Sequence, residues 1–298
     1  MIMKFSKQSY IFFVLIGTAV VGAVLFVNVI QRNSPSQSVA GIRVAATIFP
    51  LYDIVRSIGG DTVDVTLLLP EGQPAEDMAA RYAKTDFEQF KTVFAVGHGF
   101  DADGIPAAMT DRLTVVDTDV ELILEQGSTA NPFYWLSPKE AMHITDSVAA
   151  KLSQLDPQHA AAYEKRRVQF QAALAALDTN IRDLMGQLQV RTMAVYGYDW
   201  SYFARDYGLS IVWYAPTGGI SDTDQQELGN LISKFGIRTI FSDVTIDPSP
   251  ILPVVVSKRI AMESLDAFGG IEDHNGYVTT MAANARTIFD TLNTPSIP

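Results

Sequence analysis

The side chains that most often carry catalysis or metal binding are scarce in this sequence. There are four histidines (His98, His143, His159 and His274) and no cysteine. Without cysteine the chain has no disulfide, no thiolate nucleophile and no thiolate metal ligand. No two histidines share a local metal-binding spacing. His143 and His159 fall on helical segments among polar neighbours and read as solvated. His98 ends a strand and reads as a hydrogen-bonded loop residue. His274, in EDHN, reads as a polar loop residue, with a ligand role as the alternative. Gly97-His98-Gly99 follows a strand as a nucleotide loop would, but the remaining glycine spacing is missing. P-loop and Gly-x-Ser-x-Gly patterns are absent. A His-based triad or a His-rich zinc site therefore finds no support.

A second feature is aromatic. The stretch NPFYWLSPKEA (131–141) sets Phe133, Tyr134 and Trp135 between Pro132 and Pro138. Neighbouring side chains on an extended strand point to opposite faces, so all three cannot serve one core. At least one is aimed at a ligand, a partner or another part of the fold.

The elements that position these residues follow from hydrophobic periodicity. Strands are predicted at 42–49, 62–69, 92–97 and 113–117, with a helix at 50–60 that opens on Pro50 and ends on a Gly pair. Helices follow at 138–154 and 158–189. The second has an apolar stripe of Tyr163, Phe170, Leu174, Leu177, Ile181, Leu184 and Leu188, and reads as a beam. A second strand–helix series follows: strands 192–197, 209–215 and 237–243, and helices 200–208, 221–236 and 276–292. Ser221 and Asp224 stand at capping-box spacing. Strands alternating with helices imply mostly parallel sheets. The fold class is therefore α/β: two lobes, each a central sheet flanked by helices, joined by one long helix. The expected divisions are 1–40 (anchor or signal segment plus linker), 41–155 (N-terminal lobe), 156–189 (connecting helix) and 190–298 (C-terminal lobe).

Tyr10 to Ile30 carry no charge over 21 residues, enough to span a bilayer as a helix. Lys4 and Lys7 precede the run and Arg32 follows it, which directs the rest of the chain outward. Two readings stay open, an uncleaved membrane anchor and a signal peptide cut near Ser38-Val39-Ala40. Both make residues 41–298 extracytoplasmic, and the lack of cysteine argues against lipid attachment. Without Lys4, Lys7 and Arg32, 19 basic residues face 33 acidic ones, a net charge of −14. That argues against nucleic acid as a partner.

The order of several motifs resembles the zinc- and manganese-type solute-binding proteins of metal ABC importers (cluster 9). VAATIFPLYDIVRSIGGDTVDVTLLLPEG (44–72) resembles that family's opening strand, helix and strand. NPFYWLSPKEA resembles its Asp-Pro-His-x-Trp-x-Asp-Pro segment. LDPQHAAAYEKR (155–166) resembles the start of its connecting helix, and YFARDYGL (202–209) part of its second lobe. MESLDAFGG (262–270) and GYVTTMAANARTI (276–288) resemble its closing loop and last helix. The similarity covers residues 42–292.

The resemblance implies an extracytoplasmic receptor that holds one divalent cation, Zn or Mn, in an interlobe cleft and presents it to an ABC permease. It also implies ligand positions, and here they depart from the pattern. The three expected histidines fall at Ala75, Phe133 and Gly197, and the final aspartate at Glu263. Glu76, beside Ala75, substitutes only if its loop shifts. A rebuilt oxygen site would draw on Glu76, Asp77, Tyr198, Asp199, Asp243 and Glu263 and would suit a harder cation. The alternative is a cleft of aromatic side chains, Phe133, Tyr134, Trp135, Tyr198, Trp200, Trp213 and Tyr214. Such a cleft takes a small organic ligand or protein partner, or packs shut with no ligand. An enzyme on a similar scaffold is the third reading.

Overall fold

In the computed structural model, residues 41–293 are described apart from 103, 126–128 and 217–219. The run 10–30 and the linker after it lie outside the described residues. Among the described residues no helix is long and apolar enough to cross a membrane.

IRVAA forms β1 (Ile42–Ala46), and Val44, Ala45 and Ala46 are wholly buried. A continuous apolar run of this kind marks a strand covered on both faces, as in a parallel sheet. Helix α1 (Phe49–Gly59) follows, then β2 (Val63–Leu67), the short α2 (Met78–Tyr82), β3 (Val93–Ala95) and β4 (Leu113–Val115). The strands lie in the order β2-β1-β3-β4, all parallel. A 3-10 turn at Phe133–Leu136 leads into α3 (Pro138–Leu155), whose first turn is capped by the Ser137 hydroxyl accepting from the Glu140 N–H. The long α4 (Ala160–Gly186) comes next.

The second series repeats the first plan. It runs β5 (Thr192–Tyr196), α5 (Ser201–Tyr207), β6 (Ser210–Ala215), α6 (Asp222–Phe235), β7 (Thr239–Asp243), α7 (Leu252–Lys258), β8 (Ala261–Leu265) and α8 (Tyr277–Asn293). Its order is β6-β5-β7-β8, again all parallel. Both sheets lie within one compact unit, Gly41–Pro298. In each sheet the chain reverses its direction of travel beside the first strand. Ligand crevices in open α/β sheets form outside the carboxyl ends of the strands flanking such a switch point. Here those ends carry Thr47 and Gly97–Asp101 in one lobe, and Gly197–Asp199 and Asp243–Ile246 in the other.

Two lobes of parallel sheet with a long helix between them agree with the predicted architecture. The Ser221–Asp224 capping box forms in full, with each side chain bonded to the other residue's backbone N–H. Gly208 and Gly236 end their helices in the left-handed conformation. Periodicity missed α2, α7 and β8. The first two are only five and seven residues long. β8 reads AMESL and is mostly exposed at the sheet edge, so it lacks a strand's apolar signature.

At 1.5 Å per residue, the 27 residues of α4 span about 40 Å. Its N-terminal half is tied to the first lobe. Arg166 donates from Nε to the Ile58 carbonyl (2.6 Å) and from Nη2 to that of Gly59 (2.7 Å) at the C-terminus of α1, and stacks on Tyr163. Its C-terminal half is tied to the second lobe. Arg182 donates to the Asp206 carbonyl (3.1 Å), and Asp178 accepts from the Tyr207 hydroxyl (3.0 Å). A charge-assisted bond to a helix-end carbonyl contributes about 1.5–3 kcal/mol, and the Gly59 carbonyl keeps a second donor, the Thr62 hydroxyl (2.9 Å). Arg166→Ala should therefore lower the unfolding free energy by about 2–3 kcal/mol in urea denaturation. Arg167→Ala, which removes surface ion pairs to Glu164 and Asp146, should cost less than about 1 kcal/mol.

Candidate functional site

Phe133, Tyr134 and Trp135 sit in a 3-10 turn rather than a strand, so their directions are not set by strand alternation. Tyr134 points into the first lobe, where its hydroxyl donates to the Val96 carbonyl (2.8 Å). Phe133 and Trp135 meet each other at 5.2 Å between ring centroids and join Phe100, at 5.4 and 5.2 Å. From the second lobe, Tyr198 meets Phe133 at 5.7 Å and Phe268 at 4.9 Å, and Phe268 stacks on Trp135 at 5.9 Å. Five aromatic rings from both lobes thus form one cluster. Trp135, Tyr198 and Phe268 are buried, while Phe100 and Phe133 are half-buried.

Polar contacts hold the cluster's edges. The Ala75 N–H donates to the Tyr198 hydroxyl (3.1 Å), bringing the loop after β2 onto the second lobe. Burial pushes the Tyr198 hydroxyl above its usual range, so it remains protonated. The Trp135 indole donates to the Ala267 carbonyl (2.8 Å), and the Asn131 amide to Asp199 (2.6 Å). Gly197 has φ +118°, and a side chain there would collide with Ile246. The structure therefore gathers Ala75, Phe133, Trp135, Gly197, Tyr198 and Asp199 at the lobe junction, with Asp243 beneath Gly197.

The two carboxylates singled out as metal ligands lie differently. Glu76 is exposed on its 3-10 turn. Glu263 is exposed on the edge strand β8, paired with Phe241. Asp266, three residues further on, is the buried acid on that segment. Sequence spacing did not single it out, nor Phe100, Phe268 or Ile246. The aromatic run at 133–135 was the one available signal that aromatic partners would be needed.

The buried carboxylates here are already committed. Asp199 accepts from Ser201 N–H and hydroxyl on one oxygen and from Asn131 on the other. Asp243 accepts from Thr245 N–H and hydroxyl on Oδ1 and from the Ala267 N–H on Oδ2. Asp266 accepts from the N–H groups of Phe268 and Gly269 on Oδ1 and pairs with His274 on Oδ2 (2.6 Å). Each of them organises a turn. Asp101 does the same after β3, accepting from the N–H groups of Val96 and Gly97, so it fills the anion nest that Gly97-His98-Gly99 suggests.

Three of the four histidines face carboxylates. His274 pairs with Asp266, His159 with Asp156 (2.6 Å), and His98 Nε2 stands 3.0 Å from Asp117 without hydrogen-bond alignment. His143 is half-buried on α3. Among the described residues no group of three or more His, Asp or Glu side chains is placed to hold a metal ion.

The model of the ZnuA family, described as zinc-uptake complex component A, periplasmic, matches residues 44–291. The chain belongs to this family. Its members are substrate-binding proteins of metal ABC transporters rather than enzymes. The iron-binding protein YfeA of Yersinia pestis is 23% identical over 81% of this chain and 80% of its own length. The high-affinity zinc uptake protein ZnuA of Bacillus subtilis is 22% identical over 84% and 88%. Manganese ABC transporter substrate-binding lipoprotein scaA of Streptococcus gordonii is 22% identical over 88% and 92%. A crystal structure of ZnuA superposes with a TM-score of 0.73 at 20% identity, covering 85% of this chain and 99% of that one. A manganese-bound periplasmic metal-binding protein from Candidatus Liberibacter asiaticus superposes with a TM-score of 0.72, at 18% identity over 84% of this chain and 99% of that one. The same protein is also known with cadmium bound. The family's fold is therefore present here; Ala75, Phe133 and Gly197 stand where the sequence resemblance leads one to expect histidines.

Burial raises the Asp243 carboxyl from its usual value to about 6, and the neighbouring Asp266 adds to the rise. Below about pH 4 this group is protonated folded or unfolded and costs nothing. Between about pH 4 and 6 the folded state holds the proton more tightly, so stability falls as pH rises. Above pH 6 the full cost, about 3 kcal/mol, is present. Comparing urea unfolding of the wild type and Asp243→Asn from pH 4 to 7 should show the variant lacking this downward component. Phe133→Ala should lower stability by about 2 kcal/mol at any pH, since it deletes a half-buried ring with three aromatic neighbours.

Proposed function

We propose that this protein is an extracytoplasmic binding protein of an ABC importer system whose interlobe cleft is closed on aromatic side chains instead of a divalent cation. Family membership supports the importer system and a membrane permease as partner. The observation that carries the cleft reading is the ring cluster of Phe100, Phe133, Trp135, Tyr198 and Phe268 at the lobe junction. Phe133 offers no lone pair, and Ile246 fills the space a side chain at Gly197 would need. A cation placed there would face apolar rings and carboxylates already bonded to backbone N–H groups. Stripping a buried charge of compensating ligands costs several kcal/mol. Tethering by the apolar run 10–30, or release after cleavage near residue 40, would deliver residues 41–298 to the permease's outer face. The absence of cysteine sets this sequence apart from relatives named as lipoproteins.

Calorimetric titration of chelator-treated protein with Zn²⁺, Mn²⁺ and Fe²⁺ tests the reading. No binding tighter than about 1 mM is expected for any of the three. A single site of micromolar or tighter affinity would overturn it and return the chain to ordinary metal capture.

A further inference from the structure

The segment that leaves β8, residues 266–277, crosses to the first lobe and is held there at both ends. At its start the Ala267 carbonyl accepts from the Trp135 indole (2.8 Å). At its end the Tyr277 N–H donates to Asp53 of α1 (2.8 Å), and the Tyr277 hydroxyl donates to the Trp135 carbonyl (2.7 Å). Between these ends Gly269 (φ +77°) and Gly270 (φ +88°) lie flat on Phe49. A Cβ on Gly270 would stand 2.7 Å from the Phe49 ring and 2.6 Å from Glu71. Only glycine fits both the conformation and the space. The segment is also folded on itself, through the Asp266–His274 pair and the Gly270 N–H to the His274 carbonyl (2.6 Å).

Asp53 is the unusual partner. It is 5% exposed, and its other oxygen accepts from Arg56 (3.0 Å). Tyr277 opens α8, a helix of 17 residues that packs on β8 and on α4, so a carboxylate of α1 caps a helix from the far end of the chain. A carboxylate at that end meets both an orphan N–H and the positive end of the helix dipole.

We infer that residues 266–277 are an interlobe strap buckled at Asp53, and that the lobes part only when this strap lets go. The inference goes beyond the proposed function, because the strap closes whatever the cleft carries, and metal titration does not bear on it. Hydrogen–deuterium exchange of the full chain, read by mass spectrometry, tests it. Asp53→Ala removes the buckle, and Tyr277→Phe removes only the hydroxyl bond to Trp135. Each should speed exchange about fivefold in the strap and also in 131–137 and 196–200 across the junction, with 160–186 unchanged. Faster exchange confined to the first turn of α8 would reduce Asp53 to a local cap and overturn the inference. So would an equal rise along 160–186, which signals general destabilisation. If Asp53→Ala does not fold, Tyr277→Phe and Gly270→Ala decide by the same pattern.

Discussion

Trp135 is the side chain on which the two lobes converge. It is fully buried, and its ring packs on Phe100, Phe133 and Phe268. Its indole N–H and its backbone carbonyl both bond to the segment following β8. A buried indole needs a hydrogen-bond acceptor, and here the acceptor lies in the other lobe. Satisfying this one residue therefore fixes the lobes' relative position. The neighbouring rings then contribute offset and edge-on contacts worth roughly 0.5–1.5 kcal/mol each beyond their burial.

The carboxylates follow from the same constraint. Turns at the carboxyl ends of parallel strands leave backbone N–H groups with no ladder partner, and burial makes those groups expensive to leave unpaired. Asp101, Asp199, Asp243 and Asp266 each satisfy two or more such donors or neighbouring hydroxyl and amide groups. An oxygen serving a backbone N–H in this way is a poor candidate for a metal ligand as well, since coordination would orphan its donors. That is why a region rich in acids forms no cation site among the described residues.

Much of this architecture was legible in the sequence. The buried strand that opens at Ile42, the long helix and the Ser221–Asp224 box are local signals, each with a local cause. The junction was legible only in part. Three adjacent aromatics announced that something beyond the nearest sheet had to receive them, and that conclusion stands, although the local structure is a 3-10 turn. Which rings receive them was hidden, because Phe100 and Phe268 lie far apart in sequence and meet only through the tertiary fold. Glu263 and Asp266 stand three residues apart in one segment. Telling the exposed acid from the buried one takes the end of β8, a short edge strand whose mixed sequence conceals it. Asp53 gives no sequence signal at all, since the helix it caps begins 224 residues later.

The energetic consequence concerns how closure is achieved. A receptor whose lobes are closed by cargo shifts from open to closed only by the difference in cargo affinity between the two states. Here the closing contacts are intramolecular: five rings, the Asn131–Asp199 bond, the Trp135–Ala267 bond and the cap from Asp53. Their contribution is present with the cleft empty. Cargo could then add to closure only by replacing contacts of similar strength, and a cation would have to do so among phenyl rings. On the proposed function, a chain that keeps the family's scaffold while supplying its own closing energy presents one fixed surface to a partner rather than reporting whether a metal ion has been caught.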